Sequence, residues 1–158
     1  MNTIRFKHWT LQCDSGITRE AYKQIEHGGS EDCGCNTCKN FVAARRYVYP
    51  QDVRVLFEQL GIDINKEAEV YHTCKLDSGL HDYGGWFHFA GSIEEGTDSK
   101  RQIGETSFAI DLEPTNDQFA IGFTAHSALV PESFGDEPVV QIEFEAKIPW
   151  VLESDEAE

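Results

Sequence analysis

A chain of 158 residues that is 40% hydrophobic, with ten Phe, five Tyr and three Trp, is long enough to bury a core without staples, which excludes a disordered protein. Its net charge of −15 is uneven: residues 1–93 carry ten Lys/Arg against twelve Asp/Glu, and residues 94–158 carry three against sixteen. Such a field repels phosphate backbones and anionic lipid, so it argues against binding nucleic acid or membrane and suits either solubility or a basic partner.

Residues 3–13 place Ile4, Phe6, Trp9 and Leu11 among polar residues, with an alternation that slips midway, and read as one strand with a bulge or bend. Asp14-Ser15-Gly16 is a turn signal, and residues 20–26 suit a short strand or a helical turn, with the strand preferred. Asn36 or Thr37 is suited to cap a helix running to about Arg46. Pro50 suits the first turn of a second helix, in which Val53, Leu56, Phe57 and Leu60 fall at i, i+3, i+4 and i+7, and Gly61 is placed to cap its end.

From Glu67 the period becomes two. Val70, His72, Cys74 and Leu76 share one face, and Asp77-Ser78-Gly79 turns the chain into an aromatic strand over residues 80–93, broken by Gly84-Gly85. A polar loop is expected over 94–104, then strands over 106–112, 118–129 and 139–150. The last has Val140, Ile142, Phe144, Ala146, Ile148 and Trp150 inward. Early helices followed by successive strands predict an α+β domain over residues 1–152. Its mainly antiparallel sheet has about five to seven strands, with two adjacent helices in the N-terminal half. Residues 153–158 form an acidic tail expected to fray.

The stretch 27–38, His-Gly-Gly-Ser-Glu-Asp-Cys-Gly-Cys-Asn-Thr-Cys, holds three of the five cysteines. Zinc takes about four nitrogen or sulfur ligands and gains most from thiolates. Cys33, Cys35 and Cys38 supply three, Gly34 lets the backbone fold between the first two, and the fourth is expected from His27 nearby or Cys74 on the same strand face as His72. The spacing departs from the two separated ligand pairs of ordinary structural zinc sites; unligated thiols and redox or iron–sulfur use are the competing readings. Glu31 and Asp32 oppose a bare thiolate, and a bound dication relieves that repulsion. Ligation by three or four cysteines transfers enough charge to make bound water a poorer acid than at a histidine-rich site, so a structural role is expected over a catalytic one.

A second constellation surrounds the aromatic strand: His81, Tyr83, Trp86 and His88, with His126 from a later strand, are candidates for an acid/base or anion-binding pocket. Arg45 and Arg46 read as a small solvated basic spot within a helix. No phosphate-binding glycine loop, His-Glu-x-x-His or Gly-x-Ser-x-Gly is present. The N-terminus lacks the pattern of a signal peptide, no apolar run approaches the roughly 18 residues of a membrane span, and an odd cysteine count reads as reduced thiols, so a cytoplasmic address is expected. The expected function is that of a metal-stabilised binding protein, with an acidic C-terminal half that engages a basic partner, as a neutralising or immunity-type protein would. The alternative is an enzyme built on His81, Trp86 and His88.

Overall fold

The structure is a computed structural model that describes residues 1–153 and 156–158. It has an α+β fold in which the helices precede most of the sheet: α1 (Ser15–Lys23), α2 (Gly29–Asp32), α3 (Asn36–Ala44) and α4 (Gln51–Leu60). The strands are β1 (Asn2–Phe6), β2 (Trp9–Cys13), β3 (Glu69–Lys75), β4 (His81–Glu95), β5 (Lys100–Gln102), β6 (Phe108–Ile110), β7 (Glu113–Asn116), β8 (Phe119–Thr124) and β9 (Val139–Ile148). Among the described residues the main sheet has seven strands, ordered β1-β2-β4-β9-β8-β7 with β3 also on β4, while β5 and β6 form a separate ribbon; every pairing is antiparallel. No helix among the described residues is long and apolar enough to cross a membrane.

β4 organises the sheet. Its first half pairs with β3 and its second half with β2, while its other edge pairs with β9 from His81↔Ile148 to Ala90↔Val139. Tyr83, Phe87 and Phe89 of β4 and Ile142, Phe144 and Ala146 of β9 share the helix-covered face, as the period-two pattern requires. Tyr49, between α3 and α4, is the hub of that core, with ring centroids 5.5–5.8 Å from Phe57, Phe87, Phe119 and Phe144. The sheet curls far enough for Trp9 of β2 to meet Phe123 of β8 at 4.8 Å and for His8 Nδ1 to reach Glu113 Oε2 at 2.9 Å.

Several local expectations are corrected. The slip inside residues 3–13 is a tight hairpin turn at Lys7-His8, with Lys7 at φ +53°, so two strands replace one. Residues 15–23 are helical: the Asp14 carboxylate accepts from the Ile17 N–H at 3.0 Å, and Thr18, Ala21 and Tyr22 bury one face at i, i+3 and i+4. Of the expected strand over 118–129, residues 119–124 form β8 and the rest is loop; β7 lies outside every expected strand, and Pro114 fits its edge position, where no N–H is needed. α4 begins after Pro50 and ends at Gly61, left-handed at φ +88°. Of the tail, residues 154 and 155 lie outside the described residues; Glu156 Oε2 lies 2.7 Å from Lys75 Nζ and 2.9 Å from His81 Nε2.

Candidate metal centre

The cysteine stretch is held at both ends before any ion is considered. On its N-terminal side, α2 rests against the chain entering β3, and close approach requires glycine there. A Cβ on Gly28 would stand 2.5 Å from Glu67 Oε1, and one on Gly29 would stand 2.6 Å from the Ala68 carbonyl oxygen. Glu67 is 1% exposed, and its Oε1 accepts from the Ser30 N–H (3.2 Å), the Ser30 hydroxyl and Arg45 Nη2 (3.1 Å). Arg45 is also buried and donates through Nη1 to Glu31 Oε1 at 2.8 Å and through Nη2 to Ser30 Oγ at 2.9 Å. Removing one member of such a buried pair leaves an uncompensated charge, at a cost of about 3–5 kcal/mol. Arg45 is therefore not a solvated basic spot; only Arg46 faces outward, over the Tyr47 ring at 4.8 Å.

On the C-terminal side the anchor is α3. Cys35 occupies the residue before its first turn, in extended conformation, and Cys38 lies in that turn. The Tyr83 hydroxyl donates to the Thr37 carbonyl at 2.7 Å, between the two cysteines. Asn40, fully buried, donates from Nδ2 to the Pro149 carbonyl at 3.2 Å and accepts the Val151 N–H at 2.7 Å. The loop is thus suspended between a buried ion pair and a buried amide.

Within it, the sulfurs of Cys33, Cys35 and Cys38 all lie within 4.8 Å of one another, and those of Cys33 and Cys35 are 3.0 Å apart. A tetrahedral ion with metal–sulfur bonds of about 2.3 Å sets its sulfurs about 3.8 Å apart, inside that range. Cys33 and Cys35 are exposed and Cys38 is buried. The Cys35 thiol is lowered to about 6, first by the neighbouring Cys33 thiol, then by the Thr37 hydroxyl at 3.2 Å and the Cys38 backbone N–H. Burial and the two neighbouring sulfurs push Cys38 well up. Cys35 therefore ionises more readily than a free thiol, and Cys38 less readily.

The two candidate fourth ligands stand apart from this set. His27 Nδ1 faces Asp32 Oδ1 at 3.2 Å, and Cys74 is paired with Asp82 in the β3–β4 ladder, beside a bulge between His72 and Cys74. Among the described residues, Cys33, Cys35 and Cys38 are the cluster of three or more metal-ligating groups at this spacing.

β4 separates the second constellation. His81 and Tyr83 lie on the helix-covered face, whereas Trp86 and His88 point to the opposite one. His81 is fully buried, with Nδ1 2.9 Å from His72 Nε2 and Nε2 bonded to Glu156. Tyr83 lies beneath the cysteine loop, its hydroxyl raised to about 12 by burial. Trp86 donates to the Ala128 carbonyl at 3.1 Å, and His88 Nε2 lies 3.1 Å from Gln141 Oε1. His126 is exposed on the loop after β8, its ring 5.4 Å from Phe108. β4 itself is unbroken at Gly84-Gly85: the first makes room for the Tyr71 ring, the second for the Glu69 carbonyl.

Sequence reasoning did not single out Glu67 or Asn40, and it set Arg45 among solvated residues. Each is polar, each is buried, and each is paired with a group distant in sequence, so no local pattern marks it. Comparison with protein-family models, curated proteins and solved structures finds no match to this chain.

Proposed function

We propose that this protein is a small metal-stabilised binding protein in which Cys33, Cys35 and Cys38 hold a zinc ion. The observation that carries the reading is the convergence of three sulfurs on a loop whose two ends are fixed by buried polar contacts. A bound dication would neutralise the clustered thiolates and join α2 to α3, and its binding free energy would add to that of folding. His27 and Cys74 are the candidates within the chain for a fourth ligand. All five thiols are free, which suits a reducing compartment such as the cytoplasm.

The acidic C-terminal half supports the second part of the reading, engagement of a basic protein of the neutralising or immunity type. Residues 94–158 supply most of the chain's negative charge and would steer such a partner. An enzyme using His81, Trp86 and His88 finds less support, because β4 stands between His81 and the other two.

The test is metal analysis. Full-length protein purified without chelator and dialysed should retain close to one zinc per chain. Cys35→Ser should release it and lower Tm by several degrees. Protein that is metal-free yet equally stable, with or without added zinc, would end the proposal.

A further inference from the structure

We propose that the ion at Cys33, Cys35 and Cys38 keeps one coordination position for a thiolate from outside the chain, so that the centre is an exchangeable docking point for thiols. This rests on the metal reading above and deepens it.

Three sulfurs meet at the surface, and a tetrahedral soft cation requires a fourth donor. The nearby carboxylates and His27 already have partners. The Glu31 carboxylate takes the Arg45 guanidinium at 2.8 Å, and His27 and Asp32 face each other at 3.2 Å. Moving Glu31 onto the ion would break into the buried Arg45–Glu67 network that holds α2 in place. Past the bulge Cys74 pairs with Asp82, on the face of the sheet opposite Tyr83 and the cysteine loop.

Access points the same way. Cys38 is the inner ligand, while Cys33 and Cys35 are the exposed pair. Beside them opens a cleft of about 360 Å³ lined by Ser30, Glu31, Asp32, Cys33, Lys39 and Val42. Val42 offers apolar contact to a carbon stem, while the Glu31 and Asp32 carboxylates beside Lys39 disfavour a thiol that carries further negative charge. Sulfur is the donor that a thiolate-bound soft cation takes most readily. The exchange is a simple substitution: the incoming thiol gives its proton to solvent, its sulfur bonds the metal, and a bound water leaves. No electron changes hands.

The probe is cobalt(II) added to reduced, metal-free, full-length protein. The expected spectrum shows tetrahedral bands with three sulfur-to-cobalt bonds, and 2-mercaptoethanol should raise the charge-transfer absorbance by about one third as a fourth bond forms. A four-sulfur spectrum without added thiol, in protein that becomes dimeric only with metal, would place the outside thiolate on a second copy of the chain and also support the proposal. In protein that stays monomeric with metal, a spectrum indifferent to thiol would overturn it. So would a tenfold or greater loss of cobalt affinity in His27→Ala or Cys74→Ala, which would show that the fourth ligand is internal. Absence of any tetrahedral cobalt band would instead remove the metal reading itself.

Discussion

At the scale of single residues, buried polar groups decide more than the surface charges that dominate the composition. His88 illustrates this. Its ring is fully buried against Gln141, and burial lowers its pKa from 6.5 to about 4, with the Gln141 bond opposing in part. The unfolded chain takes up that proton below about pH 6.5 while the native ring stays neutral until about pH 4. Stability is therefore lost as pH falls through that window, by up to about 3 kcal/mol. Urea midpoints measured from pH 7 to pH 4 should show this decline in the wild type and a shallower one in His88→Gln; identical slopes would remove His88 as the cause. The three clustered cysteines were legible because they lie within six residues of one another. Glu67 and Arg45, 22 residues apart, were not: a Glu among charged neighbours and an Arg beside another Arg look solvated until the fold brings them together.

At the scale of elements, what local chemistry specifies was readable. α4 carries its own apolar stripe and its own left-handed glycine cap, and β9 alternates cleanly in sequence, although Gln141 and Glu143 on its polar face are buried too. α1 misled because its Asp14 cap resembles a turn signal, and the β1–β2 turn went unseen because Lys7-His8 lacks the usual Asn or Gly. The paired glycines of β4 allow a test of close packing. A Cβ on Gly85 would sit 2.4 Å from the Glu69 carbonyl oxygen, part of a fixed ladder, whereas on Gly84 it would meet only the far end of the half-exposed Tyr71 ring. Gly85→Ala should cost about 2–3 kcal/mol and Gly84→Ala less than about 1 kcal/mol, read as differences in unfolding free energy. Equal costs would mean that Tyr71 is as immovable as the backbone.

At the scale of the whole molecule, the α+β class followed from early helical periods and later strand periods, but the order of strands did not. β4 joins β2, about 80 residues away in sequence, to β9, about 60 residues away, and such pairings leave no local trace. The net charge is likewise a property of the whole. If a basic protein binds the acidic half, its affinity should fall steeply between low and physiological ionic strength; an affinity indifferent to salt would remove steering from the account. Asn40 connects these scales, because one buried amide holds both the helix that begins at the cysteines and the backbone leaving the final strand. A fusion or affinity tag pulling on the carboxyl terminus would therefore be felt at the thiols, and one placed at the amino terminus would not pull on Asn40.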